Sequence, residues 1–272
     1  MSLNLNNLYE NVLEPLANFL IWEAPGKKFI KAKWVINSCK GGTLPLSIAL
    51  MYQHNNFSYS ACTITALHGS YGLIWVLKDA VMPDPAWEKP LSIMGAITIF
   101  TSLFLYWSAA FITISSRIVI PPPLAAFATI FYSIGVVTMM CADAQKYFVL
   151  RIQKGLISDG WFATCRNTNF LGEIIVYTSF CICARSYFPI AYCLFVWSSF
   201  FGGRFYLKDK SFAKKPGGVD YIKNTSILLP VSLDFLPSPF SIPSETYVEP
   251  AEERQQSPAA SNTKRQAGRR RK

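Results

Sequence analysis

The chain has 272 residues, 51% apolar and 15% charged, with a formal net charge of +10 and 20 Phe, 13 Tyr and 7 Trp. A soluble domain carries about a quarter charged residues, so this composition excludes an ordinary water-soluble fold, and two histidines with no CxxC pair leave no zinc site to expect. The excess of basic residues lies in loops between apolar runs, which marks membrane orientation rather than a nucleic-acid surface.

In chain order, the first 23 residues lack a basic start followed by an apolar stretch and a small-residue cleavage site, so no cleavable signal peptide is evident. Residues 8–22, with their acids and Pro15, read as an amphipathic helix lying at the membrane interface within a cytoplasmic segment, 1–30. Six crossings follow: 34–52, 58–77, 91–114, 124–142, 164–184 and 187–207. A helix needs about 20 mostly apolar residues to span about 30 Å of hydrocarbon. The runs 91–114 and 124–142 contain no charged residue, nor does 58–77 when His68 is neutral. The first run is the weakest, because Lys40 lies inside it and Gly41, Gly42 and Pro45 interrupt it. The last two form a tight hairpin short of apolar residues; either they extend into their polar flanks or they are partly re-entrant. Cys62, Cys141, Cys181, Cys183 and Cys193 lie in apolar runs and read as small hydrophobes.

Lys27, Lys28, Lys31, Lys33 and Lys40 precede or enter the first crossing, Lys146, Arg151, Lys154 and Arg166 follow the fourth, and Arg204, Lys208, Lys210, Lys214, Lys215 and Lys223 end the sixth. The alternate loops hold only Arg117 and Arg185. This asymmetry places both termini and the basic loops in the cytoplasm. The expected architecture is an all-α polytopic helix bundle of about six transmembrane helices over residues 31–230. Residues 231–272 are rich in Pro, Ser and Glu and end in a basic run, so they read as a disordered cytoplasmic tail. Its cations are either simply solvated, drawn to anionic lipid, or a retention signal.

The segment "CRNTNFLGEIIVY" (165–177) puts Asn169, Glu173 and Tyr177 at i, i+4 and i+8, one polar stripe on a helix. Ionisable groups in a span usually face the bundle interior and mark a functional site, although Glu173 near the span's end could equally cap the helix. An amide beside a carboxylate suits a ligand that is itself an amide with hydroxyls, such as nicotinamide and its ribose.

"NFLGEII" at 169–175 resembles the signature of the steroid 5-alpha-reductase family, and "RFYLK" at 204–208 resembles its second signature. Between them and around them, "ADAQKYFVLR", "GLISDGWFATCRNTNFLGE" and "RFYLKDKSFAKKPGGVDYIKNTSILLP" follow the same layout, and the "QK…R" element is similar to that of sterol carbon-14 and delta-7 reductases. The resemblance implies a membrane reductase, in the endoplasmic reticulum, that binds NADPH from the cytosol in its C-terminal half (141–230). It implies that Asn169 and Glu173 bind the nicotinamide half, that Tyr206 contacts the cofactor, and that Asp143 and Arg151 hold the adenosine and phosphate end. Lys146 matches the sterol-reductase form of that element. By charge alone, Lys146, Arg151, Lys154, Arg166, Arg204 and Lys208 could meet the phosphates, for which Arg is well shaped; Lys146, Arg151 and Arg204 adjoin the motifs. No GxGxxG follows a strand, so a Rossmann site is not expected.

Four departures from the family pattern stand out. The steroid enzymes polarise the substrate ketone with a Glu before a Leu-Pro and a Tyr after a Leu-His; here "GGTLP" puts Thr43 in the first position and "ALHGSYG" puts Gly69 in the second, with Tyr71 two residues on. Such oxyanion-type donors are worth about 3–4 kcal/mol each. Thr43 and Tyr71 are the weak candidates for substrate contact, and His68, Tyr71 or Tyr206 for the proton; His68 reads either as a proton donor or as a packed ring. Met139 stands where the steroid enzymes have an Asn, and Leu156 where they have an Arg. Three readings remain open: an NADPH-dependent reductase of a carbon–carbon double bond in a sterol, polyprenol or acyl lipid; a methyltransferase like the isoprenylcysteine carboxyl methyltransferases, whose Arg-His-Pro and Glu-Glu patterns are missing; and a non-enzymatic sterol-binding or scaffolding protein.

Overall fold

A computed structural model describes residues 5–229, which are mostly helical; the expected tail lies outside them. Residues 5–22 form α1, in which α-helical turns alternate with π turns over Tyr9–Leu13 and Asn18–Trp22. After a short strand β1 (Ile30–Lys31) come α2 (Ala32–Gly41) and α3 (Thr43–Gln53). Pro45 has no N–H to offer the preceding turn, and the first expected crossing accordingly splits at Gly42. The 23-residue α4 (Tyr59–Val81) starts at Ser58, whose hydroxyl accepts from Ala61 N at 3.3 Å. Strand β2 (Pro90–Leu91) pairs antiparallel with β1, and α5 (Ile93–Ser115) follows with a 3-10 turn at Leu105–Trp107. The longest helix is α6 (Pro122–Ile152), followed by α7 (Thr168–Ala184). The last long helical run, α8 (187–213), passes through a π turn at Trp197–Phe201, and α9 (Gly218–Asn224) is the last helix of the described residues.

Helices therefore occupy all six segments expected to cross, and α5 and α6 are each long and apolar enough to do so. The main core joins α2, α4, α5, α6 and α7 around Ile64, Tyr71, Ile114, Met139 and Val176. Helices α6 and α7 make the most extensive pairing among the described residues. A Cβ on Gly172 would stand 2.4 Å from Met139 N, so the glycine of "NFLGE" is where the two backbones meet. The outward face of α6 is the opposite of a soluble surface: Phe127, Ile130, Ile134 and Val137, at helical spacing, are all at least half exposed.

The N-terminal helix α1 packs onto the bundle, with Tyr9 buried against Phe201, Phe205 and Tyr206 and its hydroxyl donating to the Ser198 carbonyl. Leu13, Leu16, Ala17, Leu20 and Ile21 of α1 line a cavity, with Leu16 and Leu20 still about half exposed.

Candidate functional site

The cavity has a volume of about 640 Å3 and is walled by α1, α2, α4, α5, α6, α7 and α8. Its polar side comes from Asn169, Glu173 and Tyr177 of α7, Asp143 and Lys146 of α6, Lys40 of α2, Lys78 of α4, and Arg204 and Lys208 of α8. The stripe read from the sequence is thus turned inward along its whole length. Asn169 is buried and its side-chain carbonyl oxygen has no hydrogen-bond partner among the described residues, an open acceptor costly to bury unless something donates to it.

Two polar chains run through this wall. Lys40 Nζ donates to Tyr177 Oη at 2.6 Å, and Tyr177 in turn donates to Glu173 Oε2 at 2.9 Å. Beside them the Lys78 ammonium pairs with the Asp143 carboxylate. Lys40 is 3% exposed and is boxed by four rings, with its nitrogen 4.9 Å from the centroid of Tyr71, 4.8 Å from Trp75, 4.3 Å from Tyr106 and 4.8 Å from Tyr177. The backbone makes room for this: a Cβ on Gly72 of α4 would stand 2.1 Å from the Lys40 carbonyl oxygen. In the sequence Lys40 is one of five lysines that orient the chain and an interruption of the first run. Its cage comes from three other helices, and no local signal announces it.

The other residues singled out in the sequence lie elsewhere. Arg151 is exposed on α6 and donates to Tyr147 Oη at 2.6 Å, away from the cavity lining. Tyr206 stacks on Tyr9, with centroids 6.3 Å apart, on the closed side of α8. Thr43 is fully buried, donating to Cys39 O at 3.2 Å and accepting from Trp107 Nε1 at 3.1 Å, so its hydroxyl is committed to the helix junction. His68 sits one layer behind the wall, against Tyr106 and Phe180 at 4.3 Å, and neither ring nitrogen has a partner among the described residues. Tyr71 is buried in the same layer, 3.4 Å from Tyr177 Oη and 3.6 Å from Met139 Sδ. A Cβ on Gly69 would stand 2.7 Å from Leu44 Cδ1 and 3.1 Å from its Cβ, so a side chain there requires Leu44 to shift. Arg166 is 2% exposed and clamps the C-terminal end, binding Asp209 through Nε at 2.7 Å and Nη2 at 2.9 Å and giving Nη1 to the Ile222 and Thr225 carbonyls. Its guanidinium is fully spoken for.

Compared with protein-family models, with curated proteins and with solved structures, the chain finds no match. The family resemblance rests on the quoted motifs alone.

Proposed function

We propose that the protein is a multi-pass membrane reductase of the endoplasmic reticulum that uses NADPH, bound from the cytosol, to saturate a carbon–carbon double bond in a lipid. The observation that carries this reading is the convergence of Asn169, Glu173, Asp143, Lys146, Arg204 and Lys208 on one cavity. They come from three helices and include Asn169 and Glu173, which the first motif assigns to the cofactor; Tyr206 of the second motif and Arg151 lie outside the lining. The open Asn169 acceptor fits a carboxamide N–H, Glu173 fits ribose hydroxyls, and Lys146, Arg204 and Lys208 fit the phosphates. When bound, the nicotinamide would supply hydride. The chain's own share is to orient that ring, to keep water away with walls such as Ile99, Leu103 and Phe180, and to move a proton along Lys40, Tyr177 and Glu173. Outward-facing apolar stripes on α6 support placement in a bilayer.

The non-enzymatic reading draws on one observation: Thr43 and Gly69, at the family's ketone-polarising positions, lie outside the cavity lining. Mass spectrometry of small molecules released from denatured, detergent-purified protein separates the two. NADPH is the expected release. Asn169→Ala and Glu173→Gln should each lower nucleotide occupancy about tenfold, the worth of about one hydrogen bond, with expression intact. Equal occupancy in both variants and the wild type would remove the basis of the proposal.

A further inference from the structure

We propose that Lys40 is a catalytic residue, the group that holds the substrate's oxygen while a double bond conjugated to it is reduced. The inference rests on the reductase reading above. It concerns which residue does the work that the absent Glu and Tyr do in the steroid enzymes, and it fixes the order of the chemistry.

Lys40 is almost fully buried yet lines the cavity. An ammonium carries three N–H donors, and among the described residues only Tyr177 accepts from it. The four surrounding rings take up its charge without taking its remaining N–H groups as an oxygen would. A lysine with that spare capacity in a dry wall is an oxygen-binding site. Position supports this, since Lys40 stands three residues before Thr43, at the end of α2 that the break at Gly42 frees from the following helix.

Charge decides which oxygen. Around the cage Lys40 and Lys78 are matched by Glu173 and Asp143, so an oxygen with a permanent negative charge gains little there. A neutral carbonyl that becomes negative during the reaction gains most in the transition state, which is the condition for rate acceleration. The same fixed cation opposes the other route to a saturated bond, in which an isolated alkene is protonated first and a carbocation awaits hydride. Hydride therefore comes first. Its addition forms a C–H bond at the carbon remote from the carbonyl, breaks the π bond and sends that electron pair to the oxygen, where Lys40 stabilises the enolate. The neighbouring carbon then takes a proton from Lys40, which a proton from water restores by way of Glu173 and Tyr177; the bound nicotinamide would be left oxidised.

The test uses full-length protein in nanodiscs with NADPH and four probes: cholestenone and hexadecenal, with double bonds conjugated to a carbonyl, and cholesterol and hexadecene, with isolated ones. Only conjugated probes should be reduced. Lys40→Met should lower kcat by roughly a hundredfold to a thousandfold, as loss of one oxyanion donor does, with nucleotide occupancy unchanged; Lys40→Arg should stay within about tenfold. Lys40→Gln substitutes if the Met variant does not accumulate. In cells lacking the protein, the accumulating lipid should be two hydrogens lighter than its normal counterpart and react with a carbonyl-directed hydrazide, and Lys40→Met should not clear it; this arm decides if neither conjugated probe fits the cavity. A wild-type rate or full lipid clearance by Lys40→Met, reduction of isolated alkenes alone, or an accumulating lipid without a carbonyl would overturn the role of Lys40 while leaving the reductase reading intact. Wild-type protein that releases no nucleotide, or cells that accumulate no lighter lipid, would instead overturn the reductase reading, and this inference with it.

Discussion

Arg166, Lys78 and Lys40 are neutralised in three different ways, and the difference separates scaffold from chemistry. Arg166 has a bidentate carboxylate and two carbonyl acceptors, leaving nothing for a ligand. Lys78 shares one carboxylate and leans on the Trp75 ring at 4.4 Å. Lys40 has a single phenol oxygen and aromatic faces. The Arg166–Asp209 pair, 2% and 1% exposed at the side chains, is accordingly structural. Removing one member strands the other charge, which costs about 3–5 kcal/mol, whereas replacing both by apolar groups of similar size is often close to neutral. Asp209→Ala should therefore lower the unfolding midpoint in detergent sharply, and Arg166→Met with Asp209→Leu should recover most of the loss. The readout is thermal unfolding followed by proteolysis of the segment after residue 223, which the clamp ties to Thr164 and Arg166 through Ser226. A single variant as stable as the wild type would show that the clamp carries no load.

At the scale of elements, helix positions were legible in the sequence because uncharged runs and their polar ends set them. The site was legible only where it is local. Asn169, Glu173 and Tyr177 belong to one helix and their spacing alone put them on one face, which does line the cavity. The Lys40 cage needs Tyr71, Trp75, Tyr106 and Tyr177 from three helices, and helix-to-helix packing has no signature in a single run. The contact of α1 with the cavity has no signature for a related reason: an apolar stripe looks the same whether it meets lipid or a cavity wall. A smaller tertiary element makes a pH test. Strands β1 and β2 are joined by amides of Phe29 and Ala32, which donate to the Leu91 and Lys89 carbonyls at 3.0 and 3.1 Å. Lys31 and Lys33 both reach Glu88 across this clip. Their hydrogen bonds hold the Glu88 carboxyl below its ordinary value, and Glu88 raises Lys33 above its own. A carboxyl depressed on folding stabilises above its unfolded value of about 4.3, and that contribution goes as pH falls through the lower folded one; a raised lysine contributes below about 10.4 and is lost above its folded value. The clip should hold between roughly pH 5 and 10 and loosen on either side. Hydrogen exchange at Phe29 and Ala32 should be a few times faster in Glu88→Gln than in wild type at pH 7, since exposed pairs are weak, and the two should converge near pH 3. Identical exchange at pH 7 would leave the lysines without a part in the clip.

For the molecule as a whole, the loops sort into two ends, and this sorting bears on topology independently of hydropathy. At one end Arg117 donates to the His54 and Asn55 carbonyls at 2.8 and 3.2 Å, Arg185 donates to the Val119 carbonyl at 2.8 Å, and Asn56 donates to the Ile114 carbonyl at 2.7 Å. The turns after α3, α5 and α7 therefore meet. At the other end Lys215 donates to the Gly155 carbonyl at 2.8 Å, Cys165 bridges to Ser226, and β1 pairs with β2, which gathers the lysine-rich loops. Only Arg117 and Arg185 mark the first end, and both spend their guanidinium groups on backbone carbonyls. The proposal of six crossings with the basic end cytosolic draws on this asymmetry, which is of the kind that orients membrane proteins. Single cysteines placed at Lys154 and Lys214, in a chain whose own exposed Cys62 has been replaced, should react with a membrane-impermeant maleimide once the plasma membrane alone is opened. Cysteines at Asn55 and Val119, both exposed, should stay protected until internal membranes are opened as well. Simultaneous labelling of all four would place both ends in one compartment, and neither the six crossings nor a cytosolic mouth for the cavity could then stand.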